Sequence, residues 1–244
     1  MIKHTFYAPP EAIAGDTIVL PADEAYHAVR VLRLKSGDEA AVVDGAGNWY
    51  RIDAEVVGRK NMVGRILEKQ VEVGEPEYQL TIGLGMLKSA ARFETFVEKA
   101  VEFGVSRIIP LITKRTERAR IKDARIESIL IAAMKQSGRC RKVMVDPPIK
   151  MRKFYKTLAE SEEEFRGVCH ETAPQSSSIT LELSGIDIPR KSMILVGPEG
   201  GFSDDEIETL EERKFKQLSL GQRRLRAESA AMTVAAAYML HSPR

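Results

Sequence analysis

The chain has 244 residues, of which 43% are hydrophobic and 30% charged, with a formal net charge of +2. Such a length can bury a substantial core in one or two domains, and no apolar run approaches the roughly 20 residues that span a bilayer. Two cysteines, Cys140 and Cys169, are too few for a disulfide framework, and His4, His27, His170 and His241 lie far apart without ligand spacing, so no metal site is expected. The opening "MIKHTFYAPPEA" has no signal-peptide core. A cytoplasmic protein of two domains, with no membrane association, is the expectation.

Residues 1–74 read as a small, mostly β domain with one helix. "PADEAYHAVRVLRLKSGD" places Ala25, Ala28, Val29 and Leu32 at helical spacing, and "AAVVDGAGNWYRIDAEVVGRKNMVGRILEK" alternates like strands around a Gly-rich turn. A compact barrel would close such strands. "VEVGEPEY", with Gly74 and Pro76, is the expected linker, and residues 75–244 form the second domain.

Strands and helices then alternate. "QLTIGLG" is a strand; residues 89–103 form a helix with Phe93, Phe96, Val97, Ala100 and Val101 on one face; "RIIPLI" is the next strand. A helix over about 123–137 buries Ile126, Ile129, Leu130 and Ala133, and further strands fall at "RGVCH", "SMILVG" and "QLSLG". This is the grammar of an α/β fold. "ESEEEF" reads as a solvated helix surface and "APQSSS" as an exposed loop. The closing helix, about 227–240, is apolar almost all round, which predicts burial on more than one side and suits a dimer interface.

Charge is unevenly spread. Residues 113–153 carry 13 Lys and Arg against 4 Asp and Glu, residues 1–74 carry 9 against 11, and residues 213–226 carry six basic residues and no acid. A basic stripe of this kind suits nucleic acid, although many such stripes are merely solvated faces.

Familiar Gly-rich sites fail on these residues. "GPEGGFS" has Phe202 where a P-loop needs lysine; "GLGMLK" lacks the third glycine of a dinucleotide fingerprint; no Gly-x-Ser-x-Gly elbow occurs. What stands out is a pair, "LVGPEGGFSDDE" and "LSLGQRRLRAESAA". Each is strand, Gly-bearing turn, helix, and Ser203 with Glu206 has capping-box spacing. Both turns should emerge at the carboxyl edge of a parallel sheet, where α/β folds bind ligands.

This pair, with "HAVRVLRLKSGD", "DGAGNWY", "KSAARFETFVEKAVEFGVSRIIPL" and "KQSGR" in the same order, resembles the RsmE-type 16S ribosomal RNA (uracil-N3)-methyltransferases of the SPOUT superfamily over essentially the whole chain. The resemblance implies a PUA-like β-barrel RNA-binding domain followed by a SPOUT α/β methyltransferase domain with a trefoil knot. It also implies S-adenosyl-L-methionine as cofactor, a homodimer, and 16S rRNA within the 30S subunit as substrate. By the same resemblance Leu195, Gly197, Glu199, Gly200, Gly201, Leu220, Gly221, Leu225 and Arg226 hold the cofactor. Arg226 and Arg223 are the alternatives for stabilising the uracil anion; Glu228 caps the last helix, orients Arg226 or accepts a proton. Arg30, Arg33, Lys114, Arg115, Arg118 and Arg139 are expected RNA contacts. Trp49 and Tyr50 either stack on bases or fill the small barrel. Two departures stand out: Ala227 replaces a usual threonine, and Lys135 stands where glutamate is common. Other targets within the superfamily, or a non-catalytic ribosome-assembly role, are the competing readings.

Overall fold

A computed structural model describes residues 4–57, 61–117, 120–184 and 189–241. The chain divides into two compact units, one comprising Met1–Glu75 with Leu130–Lys142 and the other Pro76–Ile129 with Val143–Arg244. Arg118 lies outside the described residues.

In the first unit β1 (Thr5–Tyr7), β2 (Ile13–Ala14), β3 (Thr17–Val19), β4 (Glu39–Val43), β5 (Asn48–Val57) and β6 (Asn61–Val71) form one sheet. Their order is β1-β4-β5-β6-β3-β2, and all pairs are antiparallel except β1 with β4. Alternation decides which residues enter the core: Tyr50, Ile52 and Ala54 on β5 join Phe6, Ile18, Val42 and Met62. Tyr50 is therefore a packing residue, 5% exposed, while Trp49 is half-buried. The Gly-rich turn between β4 and β5 is organised by Asp44, whose buried carboxylate accepts the N–H of Ala46 (2.8 Å) and Asn48 (3.0 Å) and the Asn48 side-chain amide (2.6 Å).

The single helix expected here is less regular than its spacing suggested. Helix α1 (Ala22–Tyr26) runs into a π-helical turn over His27–Val31, and Arg33 then adopts a left-handed φ of +58°. Ala25 and Ala28 are buried on its inner side.

The basic segment 135–142 also departs from its expected role. Arg139 is 3% exposed, and its guanidinium donates to Glu75 at 2.7 and 3.1 Å. Glu75 further accepts the backbone N–H of Cys140 (2.9 Å) and Arg141 (2.8 Å). A cation so enclosed cannot reach an RNA phosphate, so Arg139 is a structural residue and not an RNA contact. Arg141 pairs with Glu72, and Lys135, the departure noted above, pairs with the buried Glu24. Burial, reinforced by the charges of Glu75 and Glu72, pushes the Cys140 thiol up to about 11, which keeps it unreactive near neutrality.

The second unit is built on a wholly parallel sheet of β7 (Gln79–Gly85), β8 (Arg107–Ile112), β9 (Met144–Val145), β10 (Ile149–Lys150), β11 (Phe165–Cys169), β12 (Lys191–Val196) and β13 (Lys216–Leu218). The order is β10-β8-β7-β12-β11-β13, with β9 also on β8. Helices are α2 (Ala90–Glu102), α3 (Asp123–Ser137, which the division between units crosses at Leu130), α4 (Met151–Thr157), α5 (Ile179–Leu183), α6 (Asp204–Glu212) and α7 (Ala227–His241). The five residues predicted for the inner face of α2 are its buried residues. On α3, Ile126, Leu130 and Ala133 are buried and Ile129 is half-buried. The acidic "ESEEEF" is not helical: a 3-10 turn ends at Glu160, and the chain runs irregularly into β11. Two of its acids are paired with cations instead, Glu162 with Lys191 (2.6 Å) and Glu163 with Arg166 (3.7 Å), and Glu164 accepts the Arg190 N–H (2.9 Å). One core gathers Ile109, Leu111, Phe154, Leu195, Phe202 and Leu210.

Helix α7 packs on α2, β7, β12 and α5. This buries most of its alanines, with Val234 and Tyr238, but leaves Met232 and Ala236 half-buried and Met239 and Leu240 40% and 76% exposed. No helix among the described residues is long and apolar enough to cross a membrane.

Candidate functional site

Because every strand of the second unit is parallel, the chain leaves each at one edge. From the sheet order, that edge carries in turn the exits of β8 (from Thr113), β7 (from Met86), β12 (from Gly197), β11 (from His170) and β13 (from Ser219). The two motifs singled out in the sequence are thus on one edge, separated by a single strand. Between them lies the β11 exit "HETAP", which sequence reasoning did not single out, and where His170 Nδ1 is 2.8 Å from Thr172 Oγ1.

The β12 turn is held from within. Gly201 N–H donates to Pro198 O (2.8 Å), and a Cβ on Gly197 would lie 2.9 Å from Gly201, so the glycine there serves the turn's own closure. Leu195 is fully buried, its side chain against Gly83 and Leu111; it lies under the turn and offers no side-chain surface to a ligand. Neighbouring exits brace the turn. Glu199 accepts the backbone N–H of Lys88 (3.1 Å), and Arg115 donates to Gly200 O (2.8 Å). Lys114 N–H donates to Glu206 (2.9 Å), which also accepts the Ser203 N–H (2.9 Å) in the capping box that starts α6. Lys114 Nζ pairs with Asp205, and Lys88 with Glu117 (2.7 Å). Lys88, Lys114, Arg115, Thr116, Glu117, Glu199 and Gly200 surround a cavity of about 410 Å³.

The β13 exit is the opposite case: little of it is enclosed. Gly221 has φ +98°, and nothing lies within 4 Å of where a Cβ would stand, so both its conformation and its free side suit a ligand approaching the main chain. Leu220 is half-buried and Leu225 is 37% exposed. Arg223, Arg224 and Arg226 are exposed, and among the described residues none has an ion pair or side-chain hydrogen bond. The Arg226 carbonyl accepts the Ala230 N–H (2.8 Å), which makes Arg226 the N-cap of α7. Cations are disfavoured at the positive end of a helix dipole. Three of them here concentrate positive potential that an anion would relieve.

Glu228, in the first turn of α7, is 6% exposed. Its cation is not Arg226 but Arg92 of α2, with Nε 3.6 Å from Glu228 Oε1 and Nη1 3.9 Å from Glu199 Oε1. One guanidinium thus stands between the acids of the two motifs, a link that 107 residues of separation from Glu199 conceal in the sequence. The other Glu228 oxygen, Oε2, is buried without a hydrogen-bond partner among the described residues. No group of three His, Cys, Asp or Glu among the described residues is placed to hold a metal ion.

Comparison with known proteins agrees with this arrangement. A family model for an RNA methyltransferase domain matches residues 59–239, and one for an RNA methyltransferase PUA domain matches residues 20–67. The ribosomal RNA small subunit methyltransferase E of Synechocystis is 31% identical over 232 residues, covering 94% of this chain and 75% of that protein. That of Rickettsia conorii is 30% identical over 245 residues, covering 97% and 95%. The crystal structure of the enzyme of the same name from Neisseria gonorrhoeae, bound to S-adenosyl methionine, superposes with a TM-score of 0.81 at 26% identity, over 97% of each chain. A parallel sheet with paired Gly-bearing exits, a PUA-type sequence before it and full-length relatives at this identity establish that the chain belongs to the ribosomal RNA small subunit methyltransferase E family.

Proposed function

We propose that the chain methylates N3 of a uridine in 16S rRNA of the 30S subunit, using S-adenosyl-L-methionine. The observation that carries the reading is the β13 exit: an open glycine and three unpaired arginines at the N-terminus of α7, on the same sheet edge as the β12 turn. Residues 1–74 would serve as the PUA-like barrel that binds RNA, and residues 75–244 as the knotted methyltransferase domain. The knot is supported by the path of the chain, which leaves the sheet at its β13 edge yet packs α7 back on β7 and α2, and so crosses the exits of β11 and β12. Homodimerisation is supported by the apolar remainder of α7, Met232, Ala236, Met239 and Leu240.

The residues present fit the cofactor. Main-chain groups at Gly221 and half-buried Leu220 offer an adenosine both hydrogen-bonding groups and an apolar wall, and the unpartnered Glu228 Oε2 is a buried acceptor of the kind a ligand ammonium satisfies. Leu220, Gly221 and Leu225 would hold it from one side, and Glu199, Gly200 and Gly201 from the other. Bound S-adenosylmethionine supplies a methyl group already activated on a sulfonium. The protein's task is then to aim the uracil in line, to let its N3 proton pass to solvent water, and to stabilise the N3 anion that results. Arg226 or Arg223, held against a uracil carbonyl, provides that stabilisation in the manner of an oxyanion hole. Glu228 acts in place, through its charge at the start of α7 and its pairing with Arg92.

Arg92→Ala should weaken S-adenosylmethionine binding about tenfold, or roughly 1.4 kcal/mol, since Glu228 loses its cation and the two motifs their shared link; Arg92→Lys should recover part of it. Calorimetric titration reads this directly, and unchanged affinity in Arg92→Ala would remove the link. Saturable binding of S-adenosylmethionine by the wild-type chain also separates this reading from a non-catalytic assembly factor, which has no use for the cofactor. Lys114, Arg115, Arg30 and Arg33 remain the proposed phosphate contacts, each loss of which should flatten the salt dependence of RNA binding by about 0.7 on a single strand or about 0.9 on a duplex.

A further inference from the structure

Five of the cations described in the first unit are paired with acids. Arg51 pairs with Glu39 and Glu68, Arg65 with Asp53, Lys135 with Glu24, Arg139 with Glu75 and Arg141 with Glu72. Arg30 and Arg33 differ from these five: both are exposed, and neither has an acid or a side-chain hydrogen bond among the described residues. They lie on or just after the π-helical turn, whose inner side buries Ala28 and whose outer side presents Tyr26 (49% exposed), His27 and Val31 (57% exposed). Tyr26 and Arg30, and likewise His27 and Val31, are four residues apart and so share a face.

Two further features of this turn are costly by ordinary folding criteria. A π-helical turn is rare and recurs at functional sites. Arg33 takes the left-handed position that ends the helix, where glycine is usual and any other residue is strained. An exposed tyrosine alone would mean nothing; a free aromatic ring beside two uncompensated guanidiniums on such a turn has the composition of a single-strand nucleic-acid platform. The ring offers a π-face to an unstacked base, and the guanidiniums meet the flanking phosphates. Trp49 and Tyr50, the aromatic residues the sequence offered for stacking, are half-buried and buried.

We infer that Tyr26, with Arg30 and Arg33, forms a stacking site for an unpaired RNA base flanked by phosphates, so that the first unit reads single-stranded rather than duplex RNA. This rests on the RNA-substrate reading above and specifies where and in what form the RNA is held. The test is fluorescence-anisotropy titration of the full-length protein with a ten-nucleotide oligouridylate and with a blunt RNA duplex. Tyr26→Ala should weaken oligouridylate binding roughly tenfold and leave duplex binding unchanged, Tyr26→Phe should bind as wild type, and Arg30→Ala with Arg33→Ala should flatten the salt dependence. Equal affinity of wild type and Tyr26→Ala for the oligouridylate, no oligouridylate binding by the wild type, or dissociation of a dimer on Tyr26→Ala would overturn the site. This readout needs no cofactor, so failure to bind S-adenosylmethionine would count against the catalytic reading alone.

Discussion

Arg226→Ala is expected to reduce the rate of methyl transfer by about 10²–10³, the loss typical of removing one donor from an anion-stabilising site, while S-adenosylmethionine affinity changes little. The expectation follows from where the guanidinium is. Arg226 is the N-cap of α7, exposed, with no acid of its own among the described residues, so its charge is not consumed by the fold. Uridine N3 must carry negative charge as it attacks, and a cation against a uracil carbonyl is worth most at that moment. Single-turnover rates with saturating cofactor, beside calorimetric binding, separate the two effects. A parallel loss in Arg223→Ala with none in Arg226→Ala would move the role three residues back along the same loop.

The second large effect concerns stability. Glu75→Ala should destabilise the protein by about 3–5 kcal/mol, the range seen when one partner of a buried ion pair is removed. Glu75 receives four hydrogen bonds, two from the Arg139 guanidinium and one each from the N–H groups of Cys140 and Arg141. Its removal takes two hydrogen bonds and a buried counter-charge from a guanidinium that is 3% exposed. Against a typical total stability of about 5–15 kcal/mol this is a substantial fraction, and urea unfolding would show it as a lowered midpoint with the slope retained. A midpoint within error of wild type would mean that Arg139 finds water or another acid.

Which features were legible in the sequence depended on whether they were local. Strands β7, β8 and β12 are short apolar runs bounded by turn residues, and α2 repeats its apolar side chains at helical spacing, so pattern alone fixed them to within a residue or two. The capping box of Ser203 and Glu206 is likewise a four-residue signal. The irregular stretch after Glu160 was misjudged because a run of glutamates resembles a solvated helix, yet Glu162 and Glu163 are taken by Lys191 and Arg166. Arg139 was misjudged because a basic segment carries no mark of which side chain turns inward toward Glu75. Arg92 was missed for the converse reason: nothing near it in sequence is acidic and relevant, and only the fold brings Glu199 and Glu228 to it. The glycines of the first motif were correctly seen to shape a turn, but Gly197 serves the turn's own closure and Gly221 is the one with an open side.

Methyl transfer from labelled S-adenosylmethionine to 30S particles that lack the modification, followed by nucleoside analysis of the 16S RNA, tests the reaction and its target together. A single labelled product, 3-methyluridine, is expected, and it should be lost in Arg226→Ala. Label in a different nucleoside, or no transfer by a protein that demonstrably binds the cofactor, would contradict it.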